Sequence, residues 1–245
     1  MAPQRLAALL LVLSVLLLAA CATRVGPGGQ KENRFDPRLI AKTEIDRVAD
    51  TNRAEVMAGL HRVADKLYKR NPKEWKKSGQ QSAEAALERL FAGRIDFPEL
   101  EGRREGAAVL HAFSTGYQGD RVLAVMAGLL GMTYAAFENK DDFYVLDDLN
   151  EQKLYNCARN VEIAIWKLSS SKKVNSDGSN EVVLLSNELD ANNPNLSFER
   201  EFGRVIGLLD FLSKIVADKN GRNITRFTQS VATAVFLPVG ALGLK

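Results

Sequence analysis

The chain has 245 residues, of which 46% are hydrophobic and 26% charged, and its 33 Lys and Arg against 30 Asp and Glu give a formal net charge of +3. So ordinary a composition excludes an intrinsically disordered chain and a polytopic membrane protein. The near balance of charge gives no global attraction to nucleic acid.

At the amino terminus, residues 1–5 include Arg5 and are followed by an uncharged run over 6–20. A membrane-crossing helix needs roughly 20 apolar residues to cover about 30 Å of hydrocarbon. This run is shorter and ends in small residues that fit a peptidase cleft, so it reads as a cleaved secretory signal. Its last residues and the one after them, Leu18-Ala19-Ala20-Cys21, resemble the lipobox of bacterial lipoproteins.

The resemblance covers only the first 22 residues. It implies that Cys21 is thioether-linked to a diacylglycerol, becomes the new amino terminus and is usually N-acylated. A thiolate suits that alkylation because it is the most nucleophilic side chain available. Two or three acyl chains, at about 0.8 kcal/mol per buried CH₂, hold a protein on a bilayer where one chain does not. Ala22, in place of Asp, resembles the outer-membrane rather than the inner-membrane sorting pattern. The alternative is an ordinary secretory signal cut elsewhere, with Cys21 lost or left as a plain thiol.

The expected organisation is a signal peptide over 1–20, a lipidated cysteine and tether over 21–38, and a helical domain over 39–245. The tether reading rests on Gly26-Pro27-Gly28-Gly29-Gln30 and the absence of apolar period around it. About 225 residues remain after processing, enough for one sizeable core.

Helical spacing then takes over. Ile45, Val48, Asn52, Val56, Leu60, Val63 and Leu67 predict one long helix over 40–70. Asn71-Pro72-Lys73-Glu74 reads as a reciprocal cap opening a short basic helix. A helix over 82–92 stops at Gly93, and another over 103–115 stops at Gly116. Asp120 caps an uncharged run over 122–137, expected to be the central helix. Its Ala124 and Gly128, with Ala127, Gly131 and Ala135 on the adjoining face, allow another backbone to come close.

A further helix is predicted over 141–169, with Phe143, Leu146, Asn150, Leu154, Cys157, Val161, Ala164 and Leu168 on its stripe. After a polar segment, Asp177-Gly178 suggests a turn and 181–185 a short strand. Phe198, Phe202, Val205, Leu209, Leu212 and Val216 then mark a helix following Ser197. The uncharged segment 230–244 reads either as a last helix packed into the core and broken before Pro238 or as an element that contacts membrane or partner. The expected fold is an all-α bundle of six to eight helices, with room for one small β-hairpin near 170–190.

Several features invite chemistry. Lys66, Lys69, Arg70, Lys73, Lys76 and Lys77 interleave with Tyr68 and Trp75, a patch suited to anionic lipid headgroups or a glycan, with the aromatics at an interface or stacked on sugars. The plainer explanation is a solvated basic face favoured by a helix carboxyl end. His61 and His111 lack companions at metal-ligand spacing, and Ser114 lacks a nucleophile-elbow setting beside His111. Asp141-Asp142 and Asp147-Asp148 suggest acid/base work or simply helix-end acids. Cys157 reads as a small buried residue, since no basic neighbour is evident to activate it.

No cofactor or metal constellation is recognised. The expectation is an outer-membrane-anchored periplasmic lipoprotein with a non-enzymatic structural or interaction role. Its expected partners are the membrane, through acyl chains on Cys21, and an envelope protein. An envelope enzyme acting on cell-wall glycan through paired carboxylates, or a lipid-binding, membrane-perturbing helical protein, are the alternatives.

Overall fold

Thr43 opens the first long helix. Its hydroxyl accepts from the Asp46 backbone N–H at 3.2 Å, while the Asp46 carboxylate accepts from the Thr43 N–H at 2.7 Å. The computed structural model describes residues 42–93, 96–174, 178–187, 195–226 and 234–240, together with the strands β1 (Thr23–Val25) and β2 (Lys31–Asn33). The lipobox, the signal segment and most of 230–244 lie outside the described residues.

Seven α-helices dominate the described residues: α1 (Glu44–Arg70), α2 (Pro72–Lys77), α3 (Ala83–Phe91), α4 (Glu105–Ala112), α5 (Arg121–Ala136), α6 (Glu151–Ser170) and α7 (Ser197–Asn220). A 3₁₀ turn covers Pro98–Leu100, and β3 (Lys172–Val174) pairs antiparallel with β4 (Asn180–Val182). The all-α bundle with a small hairpin near 170–190 is therefore the observed architecture. Within segment 21–38, β1 and β2 form a second antiparallel pair, Thr23 opposite Asn33 and Val25 opposite Lys31.

Burial explains the layout. The sequence stripes of α1 and α7 meet each other, and α7 also packs on α6. Phe198, Phe202, Val205, Leu209, Leu212 and Val216 are all buried, as are Asn52, Val56, Leu60, Val63 and Leu67; Val48, at the amino end of α1, is exposed. Helix α5 is central. It touches α1, α2, α3, α4 and α6, and every one of its residues except Tyr134 is buried, as its lack of charge after Arg121 requires. The small residues serve the predicted purpose, because α4 crosses α5 where Gly128 faces the Glu105 carbonyl and Val109.

Four sequence expectations are corrected. Residues 141–150 are not helical, and α6 begins only at Glu151, where the Asn150 side chain caps the Gln152 and Lys153 N–H groups at 2.9 and 3.0 Å. The acidic residues hold a loop instead. Asp147 accepts from the Tyr144 N–H at 3.0 Å, Asp50 of α1 accepts from the Phe143 N–H at 2.8 Å, and Leu146 is left 92% exposed. Asp side chains offer the backbone this alternative to a helical ladder.

Nor does Asn71 form the expected reciprocal cap. Its amide exchanges two bonds with the Leu185 backbone, at 2.9 and 2.8 Å, and so ties the chain leaving the β3–β4 hairpin to the end of α1. Helix α4 also stops short of Thr115. The Arg121 guanidinium draws together the carbonyls of Ala112, Ser114 and Tyr117 in the turn that follows it.

The described part of the last segment, 234–240, holds no α-helix and runs as an irregular strap. Gln152, Asn156 and Asn160, four apart on α6, present amides to passing backbone. Gln152 exchanges two bonds with Thr225, Asn156 donates to the Pro238 carbonyl at 2.8 Å, and Asn160 bonds both backbone groups of Leu237 at 2.7 and 2.8 Å. Side-chain amides thus replace the helical partners that this backbone would otherwise need, and Val239 enters the core.

Candidate functional site

The basic patch read from sequence is divided by the fold. The last turn of α1 brings Arg70, and α2, turned back at Asn71-Pro72, brings Lys73 and Lys77; these line one side of a groove of about 400 Å³. The loop between α4 and α5 adds Thr115, Gln118 and part of Arg121, and the β3–β4 hairpin closes the other side with Lys173, Val182 and Val183. Lys66, Lys69, Trp75 and Lys76 do not line it. Lys66 donates to the Ser197 carbonyl at 3.3 Å, Lys69 pairs with Asp65 at 2.8 Å, and Lys76 lies over the Trp75 ring.

Burial corrects the expectation for Tyr68, which has no exposed ring face to offer an interface. Tyr68 is fully buried and Trp75 packs against the core. Tyr68 lies one position beyond the Leu67 stripe and widens the buried face of α1. Its hydroxyl donates to Asp120 at 3.1 Å.

Asp120 organises the wall of the groove. It is 1% exposed and accepts from the Tyr68 and Ser78 hydroxyls at 3.1 Å each and from the Leu123 N–H at 2.9 Å, so it caps α5 and fastens α1 and the end of α2 to it. Burial raises the Asp120 carboxyl above its ordinary value and pushes the Tyr68 phenol well above its own; burial also lifts the Tyr117 phenol to about 12. Buried Glu74 has both oxygens occupied, one by Lys77 at 2.6 Å and the other by the Arg121 N–H at 2.8 Å.

Of the other candidates, three aspartates are ion-paired, and His111 and Ser114 make local contacts. Asp141 pairs with Arg53, Asp142 with Lys42 and Asp147 with Lys140. The His111 ring lies 4.3 Å from that of Tyr117, and the Ser114 hydroxyl donates to the His111 carbonyl at 2.8 Å. No group of three His, Cys, Asp or Glu among the described residues is placed to hold a metal ion.

Cys157 is completely buried beside Thr133, and burial pushes its thiol up to about 12. Because the thiolate is the reactive form, Cys157 should label only after unfolding. In a Cys21→Ser chain, a disulfide reagent is expected to react with native protein at least about 10³-fold more slowly than with denatured protein, in line with the rarity of open states. Stoichiometric labelling within minutes under native conditions would contradict this burial.

The chain matches no protein-family model, and no curated protein or solved structure is significantly similar to it.

Proposed function

We propose that this protein is a lipoprotein anchored in the bacterial outer membrane through Cys21, and that its periplasmic helical domain has a non-enzymatic structural or interaction role. The observation that carries this reading is the sequence Leu18-Ala19-Ala20-Cys21 at the end of an apolar run too short to span. The arrangement of the domain supports it from a second direction. Its most apolar helix, α5, is spent on the interior, and no helix among the described residues is long and apolar enough to cross a membrane. Attachment to a bilayer through acyl chains would supply what this domain's own helices do not.

The ion pairing of three of the four candidate aspartates favours an interaction role over glycan hydrolysis. Of the aspartates that suggested catalysis, Asp141, Asp142 and Asp147 are each neutralised by a cation. The burial of 122–136 likewise leaves the membrane-perturbing reading without its central element.

The anchor is tested by metabolic labelling with palmitate, with sequencing of the mature amino terminus. The native chain should incorporate label, begin at residue 21 and fractionate with outer membrane. Cys21→Ser should abolish incorporation and leave unprocessed or released protein. Label retained in that variant, or a mature start elsewhere, defeats the proposal. Crosslinking with mass spectrometry on native envelopes would identify the partner.

A further inference from the structure

We infer that the groove between α2, the α4–α5 loop and the β3–β4 hairpin is a binding site for an organic phosphate ester. The inference goes beyond the anchor and does not depend on it.

Its charge is the first observation. Arg70, Lys73, Lys77, Lys173 and Arg121 line the groove against only Glu74 and Glu181. Glu74 is ion-paired with Lys77, so those two charges offset each other and the excess rests on Arg70, Lys73, Arg121 and Lys173 against Glu181. Lys73 and Lys173 are exposed, stand on separate walls, and form no ion pair among the described residues.

A guanidinium fork meets a carboxylate or a phosphate bidentately, and an ammonium meets either as a point charge. The Arg121 fork is committed to the carbonyls of Ala112, Ser114 and Tyr117, which leaves a set rich in ammonium groups. Ammonium groups act as mobile point charges and suit the several oxygens of a phosphate. Thr115 and Gln118, both exposed on the same wall, add neutral donors.

Shape and surroundings narrow the ligand further. The volume of about 400 Å³ falls within the range of small-molecule sites. Val182, Val183 and Leu185 give it an apolar side that would cover the organic portion of an ester. With Tyr68 and Tyr117 buried, the groove offers no open aromatic face for stacking a neutral sugar.

The test uses the full chain in neutral detergent. Isothermal titration with glycerol 3-phosphate should give saturable binding that inorganic phosphate competes away and that succinate does not reproduce. Lys73→Glu combined with Lys173→Glu, both at exposed positions, should weaken binding at least tenfold while leaving the circular dichroism spectrum and melting temperature unchanged. Cys21→Ser should bind as the native chain does, so failure of the anchor and failure of the groove are separable.

A second arm compares flotation with phosphatidylcholine vesicles against vesicles that also contain phosphatidylglycerol. Equal flotation with both is expected. The inference is overturned by absence of saturable glycerol 3-phosphate binding, by equal affinity in the double variant, by equal binding of succinate, or by selective retention on anionic vesicles that glycerol 3-phosphate does not reverse.

Discussion

Gly128→Leu is expected to prevent stable folding. A single Cβ at position 128 would lie 2.5 Å from the Glu105 carbonyl oxygen, 2.6 Å from a Val109 methyl and 3.1 Å from the Val109 nitrogen. Two of those three neighbours are backbone, so no rotamer change relieves them, and α4 must move as a body. Moving it uncovers Ala108, Val109 and Ala112, all fully buried against α5. Overpacking a core costs typically about 1–3 kcal/mol when side chains can adjust. With backbone in the way and a helix interface opened, about 4 kcal/mol or more is expected, a large part of a domain's total stability. Gly203→Ala is the control. It lies on the exposed side of α7 with open space around it, and should stabilise by about 0.5–1 kcal/mol through helix propensity alone. Urea midpoints for the two variants should move in opposite directions; a native-like midpoint for Gly128→Leu would contradict the packing described for α4 and α5.

That contrast shows which parts of the fold were legible in the chain. A glycine four residues from an alanine on an uncharged helix announces close approach, and uninterrupted stripes such as Phe198 to Val216 announce a buried face; both signals are local and both correspond to the structure. The stripe through Phe143, Leu146 and Asn150 had the same spacing and was not helical. The difference lies in partners remote in sequence. Asp50, Arg53 and Lys42 hold the loop 141–150, and spacing within the segment carries no information about them. The capping pattern erred in a related way. Asn71 is bound to the chain leaving a hairpin 114 positions away, while Thr43 and Asp46 form a reciprocal cap with Asp where Glu or Gln is the usual signature.

The groove was half visible for the same reason. Arg70, Lys73 and Lys77 are neighbours in sequence and were found as a cluster. Lys173 and the Thr115–Arg121 wall are brought to them only by the hairpin and by the packing of α5, so sequence showed a charge run where the structure forms a concave site. The polar ladder Gln152, Asn156 and Asn160 did carry a signal. Amide side chains four apart on a helix that is otherwise apolar on that side mark a place where backbone must be satisfied.

Asp120→Ala is the second substitution expected to be severe, by about 3 kcal/mol. Loss of an N-cap costs typically about 1 kcal/mol. The Tyr68 hydroxyl, on a side chain with no exposed surface, would also lose its acceptor, which adds about 1–3 kcal/mol for a stranded buried donor. Tyr68→Phe removes the stranded donor itself and should cost only about 1 kcal/mol. In a double-mutant cycle Asp120→Ala and Tyr68→Phe should therefore be less than additive, and strict additivity would show that the two groups do not share a bond.

Asp120→Asn separates cap from charge. Burial is the largest influence on the Asp120 carboxyl and raises its pKa above the ordinary 3.8. Its stabilising contribution is therefore fully present below the unfolded value and declines as pH rises through the folded one. The amide does not titrate, so the deficit of Asp120→Asn relative to the native chain should be largest in acid and should shrink toward neutral pH; a deficit that grows with pH would mean that the hydrogen bonds from Leu123, Tyr68 and Ser78 outweigh desolvation. The consequence reaches the groove. Asp120 joins α1 and the end of α2 to the loop that presents Thr115 and Gln118, so loss of its carboxylate should loosen both that loop and α2 while leaving Lys173 on the hairpin in place.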